Sequence, residues 1–209
     1  NSFIGFHSGK NITTGKQNTL ITTGAGLNIT TGNRNLVFGY DSYYKNKFSD
    51  ENVFIGYKSG HGSSSDSTYN SMSSADGCFN IGIGSNVALN IEQGGSNIII
   101  GKEASYHIET GSNNCVVGYN SAYTSANTNK GICIGDKTGY LSRNFNDSIL
   151  IGEQAGRGAS NRDDTNNIYI GKKSGYNVNG DNNILLTTSG GENSVTFSNR
   201  FAVYKDNEH

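Results

Sequence analysis

Apolar residues in this chain come in groups of two or three that end on a glycine, and the groups return with a constant phase. The stretch Asn52-Val53-Phe54-Ile55-Gly56-Tyr57-Lys58-Ser59-Gly60 is the clearest copy. Its opening position recurs at Asn1, Asn18, Asn35, Asn52, Asn80, Asn97, Asn114, Gly131, Ser148, Asn167 and Asn183. The step is seventeen residues, interrupted by steps of twenty-eight after Asn52, nineteen after Ser148 and sixteen after Asn167. A period held through eleven copies predicts a solenoid in which each copy forms one coil.

Read as columns, the copies separate into apolar, small and variable positions. The fourth column, which includes Ile4, Ile55, Ile100, Ile134 and Ile170, has no polar exception. The second and third columns are also largely apolar, as at Val53, Phe54, Ile98 and Ile99. Successive strand residues point to opposite faces, so three apolar positions in a row predict a strand covered on both sides. One cover is the coil's own interior, expected to hold the fourth column; the other must come from elsewhere.

The fifth column is glycine except at Thr22 and Thr187, and the ninth is often glycine, as in the pairs Gly56 and Gly60 or Gly135 and Gly139. With Gly101, these predict a corner repeated in every coil. The eighth column is small, with Ser8, Ala25, Ser59 and Ala104 fitting inside that bend. A second short strand is expected at 12–15, 29–32 and 108–111, its isoleucine sharing the interior with the fourth column. Asparagines in the first column, Asn52 among them, would stack along the axis through their amides, or serve only as turn residues.

Residues 61–77 are serine-rich and lack the apolar phase, which predicts a loop leaving the solenoid; a smaller insertion surrounds 157–165. The repeat domain is therefore expected over 1–190, with 191–209 a terminal strand or a transition to another module. The chain opens in phase with a repeat and closes without a terminating motif, as a piece of a longer fibre would.

Composition alone would suggest disorder, since 33% of residues are apolar and 29 are glycine, but disordered linkers do not hold β-branched residues in phase. Sixteen basic and seventeen acidic side chains give a net charge of −1, so nothing draws the chain to nucleic acid or an anionic membrane. No apolar run is long enough to span a bilayer. Each coil offers few apolar side chains against the entropy of ordering seventeen residues, which predicts completion by identical chains, three of them by preference.

The phrases NSFIGFHSGKNITTG and NVFIGYKSG resemble the head repeats of trimeric autotransporter (YadA-like) adhesins. They are similar also to seventeen-residue repeats of viral and phage tail-fibre and spike proteins, including the chlorovirus-type glycoprotein repeat. The resemblance covers about residues 1–190. It implies an all-β fold: a homotrimer of parallel left-handed β-rolls, or β-helix solenoids, projecting from a virion or cell surface. Its partners would be two identical chains, other fibre or virion proteins, and a host glycan or surface protein. The cleaving chaperone domain that follows such repeats in many fibres has no counterpart in this stretch.

The expected function is thus a structural and adhesive segment of a virion fibre, tail fibre or spike. A bacterial adhesin head, an ice-binding solenoid and a glycan-cleaving tail spike are the alternatives. Contacts to a receptor are expected from His61, Asp66 and Tyr69 in the loop and from Tyr40, Tyr43, Tyr44 and Tyr57, unless these rings pack between coils. No catalytic group, metal site or cofactor is expected. His7, His61, His107 and His209 share no ligand spacing, and Asp163-Asp164, with Asp66 and Asp76, lack the calcium-roll pattern. Cys78, Cys115 and Cys133 also lack metal spacing, and the latter two occupy apolar columns. Asn11, Asn28 and Asn146 begin glycosylation sequons.

Overall fold

The computed structural model describes residues 1–62, 78–91, 93–158, 162–187 and 198–204. Its strands are β1 (Ser2–Ile4), β2 (Thr19–Ile21), β3 (Leu36–Phe38), β4 (Val53–Ile55), β5 (Ile81–Ile83), β6 (Ile98–Ile100) and β7 (Cys115–Val117). They continue as β8 (Ile132–Ile134), β9 (Ser142–Asn144), β10 (Ile149–Ile151), β11 (Arg162–Asp163), β12 (Ile168–Ile170), β13 (Ile184–Thr187) and β14 (Phe201–Tyr204). All but β9 and β11 form one parallel sheet of twelve strands, stacked in chain order. The chain is an all-β parallel solenoid with a coil of about seventeen residues.

Equivalent columns pair from coil to coil, as in Ile98 with Cys115, Ile99 with Val116 and Ile100 with Val117. Register survives the irregular steps: Val53 pairs with Ile81 across the longest one, and Ile149 with Ile168 across the next. Insertions therefore leave the coil and return to the same phase. Phe201 pairs with Ile184, so the sheet extends in register past the boundary expected near 190, and β14 is its twelfth strand.

The middle residue faces inward in strands β2 to β8, β10, β12 and β13. Leu20, Val37, Phe54, Ile99, Val116, Cys133, Leu150, Tyr169 and Leu185 are all buried, and Ile29 and Ile108 join them from the far side. This corrects the expectation for the fourth column, whose Ile4, Phe38, Ile100, Ile134 and Ile170 are exposed. The parity is set by the first column. Asn18, Asn35, Asn52, Asn80 and Asn97 are buried, and in a pleated strand the residue two positions on shares their face. The second and fourth columns must then point outward.

Those asparagines stack by hydrogen bonding. The Asn35 backbone N–H donates to Asn18 Oδ1 at 3.0 Å, and its Nδ2 donates to the same oxygen and to the Ser49 carbonyl, both at 3.0 Å. The arrangement repeats at Asn97 and Asn114. At Gly131 the backbone still donates to Asn114 Oδ1, at 2.8 Å, but nothing passes the bond on. The Phe145 ring fills the space, 2.5 Å from where a Cβ would stand. The ladder resumes at Ser148, whose Oγ accepts the Asn167 N–H at 3.0 Å.

At the corner, Gly101 has φ +135° and a Cβ there would overlap the carbonyl oxygen of Gly118 in the next coil. Only glycine permits that approach without displacement. The second strand expected at 12–15 is not extended: the Thr30 carbonyl accepts from Thr13, Thr14 and Gly15 in succession, at 2.9, 3.3 and 3.2 Å. Backbone curled around one acceptor cannot form a ladder. The described second sheet is instead the short pair β9 and β11.

Candidate functional site

The outward columns make a continuous ribbon along the sheet. From β3 to β13 its two ranks hold Leu36, Val53, Ile81, Ile98, Cys115, Ile132, Ile149, Ile168 and Ile184 on one side. Phe38, Ile55, Ile83, Ile100, Val117, Ile134, Ile151, Ile170 and Leu186 form the other. No polar side chain interrupts either rank. Phe38 is 48% exposed and Ile98 43%. Contiguous exposed apolar surface of this extent is rare on monomeric soluble proteins.

Of the residues expected to touch a receptor, Tyr43 is placed otherwise. It occupies a ninth-column position, points into the coil and is buried, stacked on Phe54 with ring centroids 5.0 Å apart. Its hydroxyl accepts Asn52 Nδ2 at 2.9 Å, and burial pushes its pKa far up. Tyr43 is core, not surface. The compensating feature is Gly82: the Phe54 ring, on which Tyr43 stacks, lies 2.5 Å from where its Cβ would be, so the glycine makes room for Phe54.

His61 is half-buried and stacks on Tyr44, with centroids 5.3 Å apart and planes 5° from parallel. Burial is the main cause of its lowered pKa, with Lys45 and Lys58 adding to it, against the opposing bond to the Gly62 carbonyl. Burial in the stack therefore disfavours the protonated imidazole. Tyr40 and Tyr57 are exposed and stack on one another at 5.9 Å. Asp66 and Tyr69 lie outside the described residues. Asn52, Gly56, Gly60, Gly101 and Gly135 belong to the ladder and corners, and Ile55, Ile100 and Ile134 to the ribbon.

Two arrangements escaped the sequence reading. One is a second polar ladder in the sixteenth column, where Lys16 N–H donates to Asn33 Oδ1 (2.9 Å) and Asn33 N–H to Asp50 Oδ1 (2.7 Å). Ser112 and Asn129 continue it higher up. Its signal was a recurrence of short polar side chains just before the asparagine column. The other is a run of rings in the tenth column, where Tyr106 stacks on Tyr123 at 5.0 Å and Tyr123 meets Tyr140 at 5.4 Å. The Arg157 guanidinium then lies 5.3 Å from the Tyr140 ring and 5.7 Å from the Tyr176 ring.

Comparison with family models, curated proteins and solved structures gives no match. The chemistry of the site rests on its own geometry. Among the described residues no three His, Cys, Asp or Glu side chains converge as metal ligands. The small, partly open recess bordered by Ser142, Phe145, Leu150 and Tyr169 has about 10 Å³ of space, room for one water molecule. Cys78 and Cys133 are buried, and Cys115 lies half-buried in the apolar ribbon. What the described residues offer is surface: one apolar face and columns of stacked rings.

Proposed function

We propose that the chain is a rigid segment of a homotrimeric surface fibre, tail fibre or spike of a virion, carrying or making contact with a host receptor. The observation that supports it is the ribbon. Apolar side chains project outward from one face of the sheet, rung after rung, while the interior is already filled by the middle residues of the strands. A partner that matches such a surface needs the same period, and another copy of this chain has it. Three copies around an axis would bring their ribbons together and leave the ring columns at the periphery.

Rigidity suits a projecting part. Every coil is joined to the next by backbone bonds on the sheet side, such as Ile98 N–H to the Asn114 carbonyl at 2.8 Å. The corner is joined in the same way, by Gly101 N–H to the Ile83 carbonyl at 2.9 Å. Side-chain ladders add further links. Bending would break several of these together.

Sedimentation equilibrium of the purified chain over a wide dilution range tests the reading. The expected result is a species of three times the 22.3 kDa chain mass that persists on dilution. A folded, stable single chain would overturn it.

A further inference from the structure

The tenth-column run extends through five consecutive coils as Tyr106, Tyr123, Tyr140, Arg157 and Tyr176. Ring faces in this run are turned to one another: Tyr106 and Tyr123 are 18° from parallel. Tyr123 and Tyr140 are tilted by 37°, and Arg157 lies over the Tyr140 and Tyr176 rings, so each ring turns at least one face to a neighbour in the run and leaves its edge and hydroxyl to solvent. None of the four hydroxyls has a protein hydrogen bond among the described residues, although each side chain is half-buried and held. Arg157 makes a single long bond, 3.4 Å to Gln154 Oε1, and no described carboxylate pairs with it. The result is a file of four hydroxyls over five successive coils, with Arg157 between Tyr140 and Tyr176 and Lys173 beside the Tyr176 ring.

We propose that this file binds an extended anionic glycan lying along the solenoid axis, with one sugar per coil. Each hydroxyl exchanges a hydrogen bond with a sugar hydroxyl, and Arg157 pairs with a carboxylate or sulfate through its planar fork. A repeating ligand is indicated because the donors repeat at the coil spacing. Polar chemistry is indicated because each ring already turns at least one face to a neighbour in the run. His107, exposed and edge-on to both Tyr106 and Tyr123, borders the file and adds a further polar edge. The proposal rests on the adhesive part of the proposed function and does not depend on the number of chains.

The test is calorimetric titration of the full chain with three hexasaccharides: a uronate oligomer, a sulfated oligomer and neutral cellohexaose. One or both acidic hexasaccharides should bind, and the corresponding di-, tri-, tetra- and pentasaccharides, titrated in turn, should bind more tightly with each added sugar. The double variant Tyr123→Phe with Tyr140→Phe keeps the stack and removes two hydroxyls, and Arg157→Gln removes the guanidinium. Each should weaken binding roughly tenfold or more, at unchanged melting temperature and sedimentation. The uronate and sulfate arms decide which anion is read. The proposal is overturned if no acidic oligomer binds, if neutral cellohexaose binds as well as the acidic ones, or if the variants bind like the parent. A trimer without glycan binding would sink this inference alone, whereas a glycan-binding monomer would sink only the trimer.

Discussion

The two faces of the twelve-stranded sheet are built on opposite rules. Inward positions vary from no side chain at Gly82 to a full ring at Phe54 and Tyr169, while outward positions from Leu36 to Leu186 are apolar throughout and mostly isoleucine or valine. Inside, each misfit is absorbed by a neighbour, as Gly82 gives way to Phe54 and Gly131 to Phe145. Outside, nothing among the described residues stands against the ribbon, yet its chemistry is the more uniform. Uniformity without an internal partner is what a repeating external partner would require.

The largest expected effect comes from placing a charge on the outer face. Ile100→Asp in a lone solenoid would be an ordinary surface change, within about 0.5 kcal/mol. In an assembly it buries a carboxylate from every copy, each costing several kcal/mol, and the mass in sedimentation should fall to that of one chain. The inner face should respond locally. Phe54→Ala is expected to cost about 3–5 kcal/mol by denaturant melting, and Gly82→Val added to it should recover part of the loss, because the clashing ring has gone. Oligomeric state should survive both.

Ladder positions fall between. Asn97→Ala leaves the Asn114 N–H without its acceptor and the Gly111 carbonyl without its donor, so a loss of about 1–3 kcal/mol is expected. Gly131 already lacks the amide, and Gly131→Ala should be costly for a different reason, its clash with Phe145. The smallest effect is at His61. Its pKa in the fold is lowered, so it contributes stability above the unfolded value near 6.5 that is lost as pH falls through the folded value. Stability should fall on acidification through that window by less than about 1 kcal/mol, read as a small drop in melting temperature, and His61→Gln should flatten the slope.

The seventeen-residue period was legible because identical columns must pair in a parallel stack, so glycine, asparagine and isoleucine recur in phase. Which apolar column faces inward was not. Three consecutive apolar residues fit either parity, and only the buried asparagine two positions before Phe54 or Ile99 decides it. Tyr43 was misplaced because a tyrosine in a usual glycine slot reads as surface; it adopts φ +52° and stacks inward on Phe54, whose ring in turn occupies the space over Gly82. Lys58, Glu103 and Lys137 likewise take positive φ at a corner where no residue type announces it. The hydroxyl file was missed because Tyr106, Tyr123 and Tyr140 become neighbours only once the coils are stacked.

Cys115 gives the most direct test of whether the outer face is covered. It is the half-buried thiol in the ribbon, while Cys78 and Cys133 are buried within the coil. Thiol titration of the native protein should find no reactive cysteine, and one per chain, at Cys115, after mild dissociation that keeps the solenoid folded. Prompt reaction of Cys115 in the untreated protein would contradict a buried ribbon.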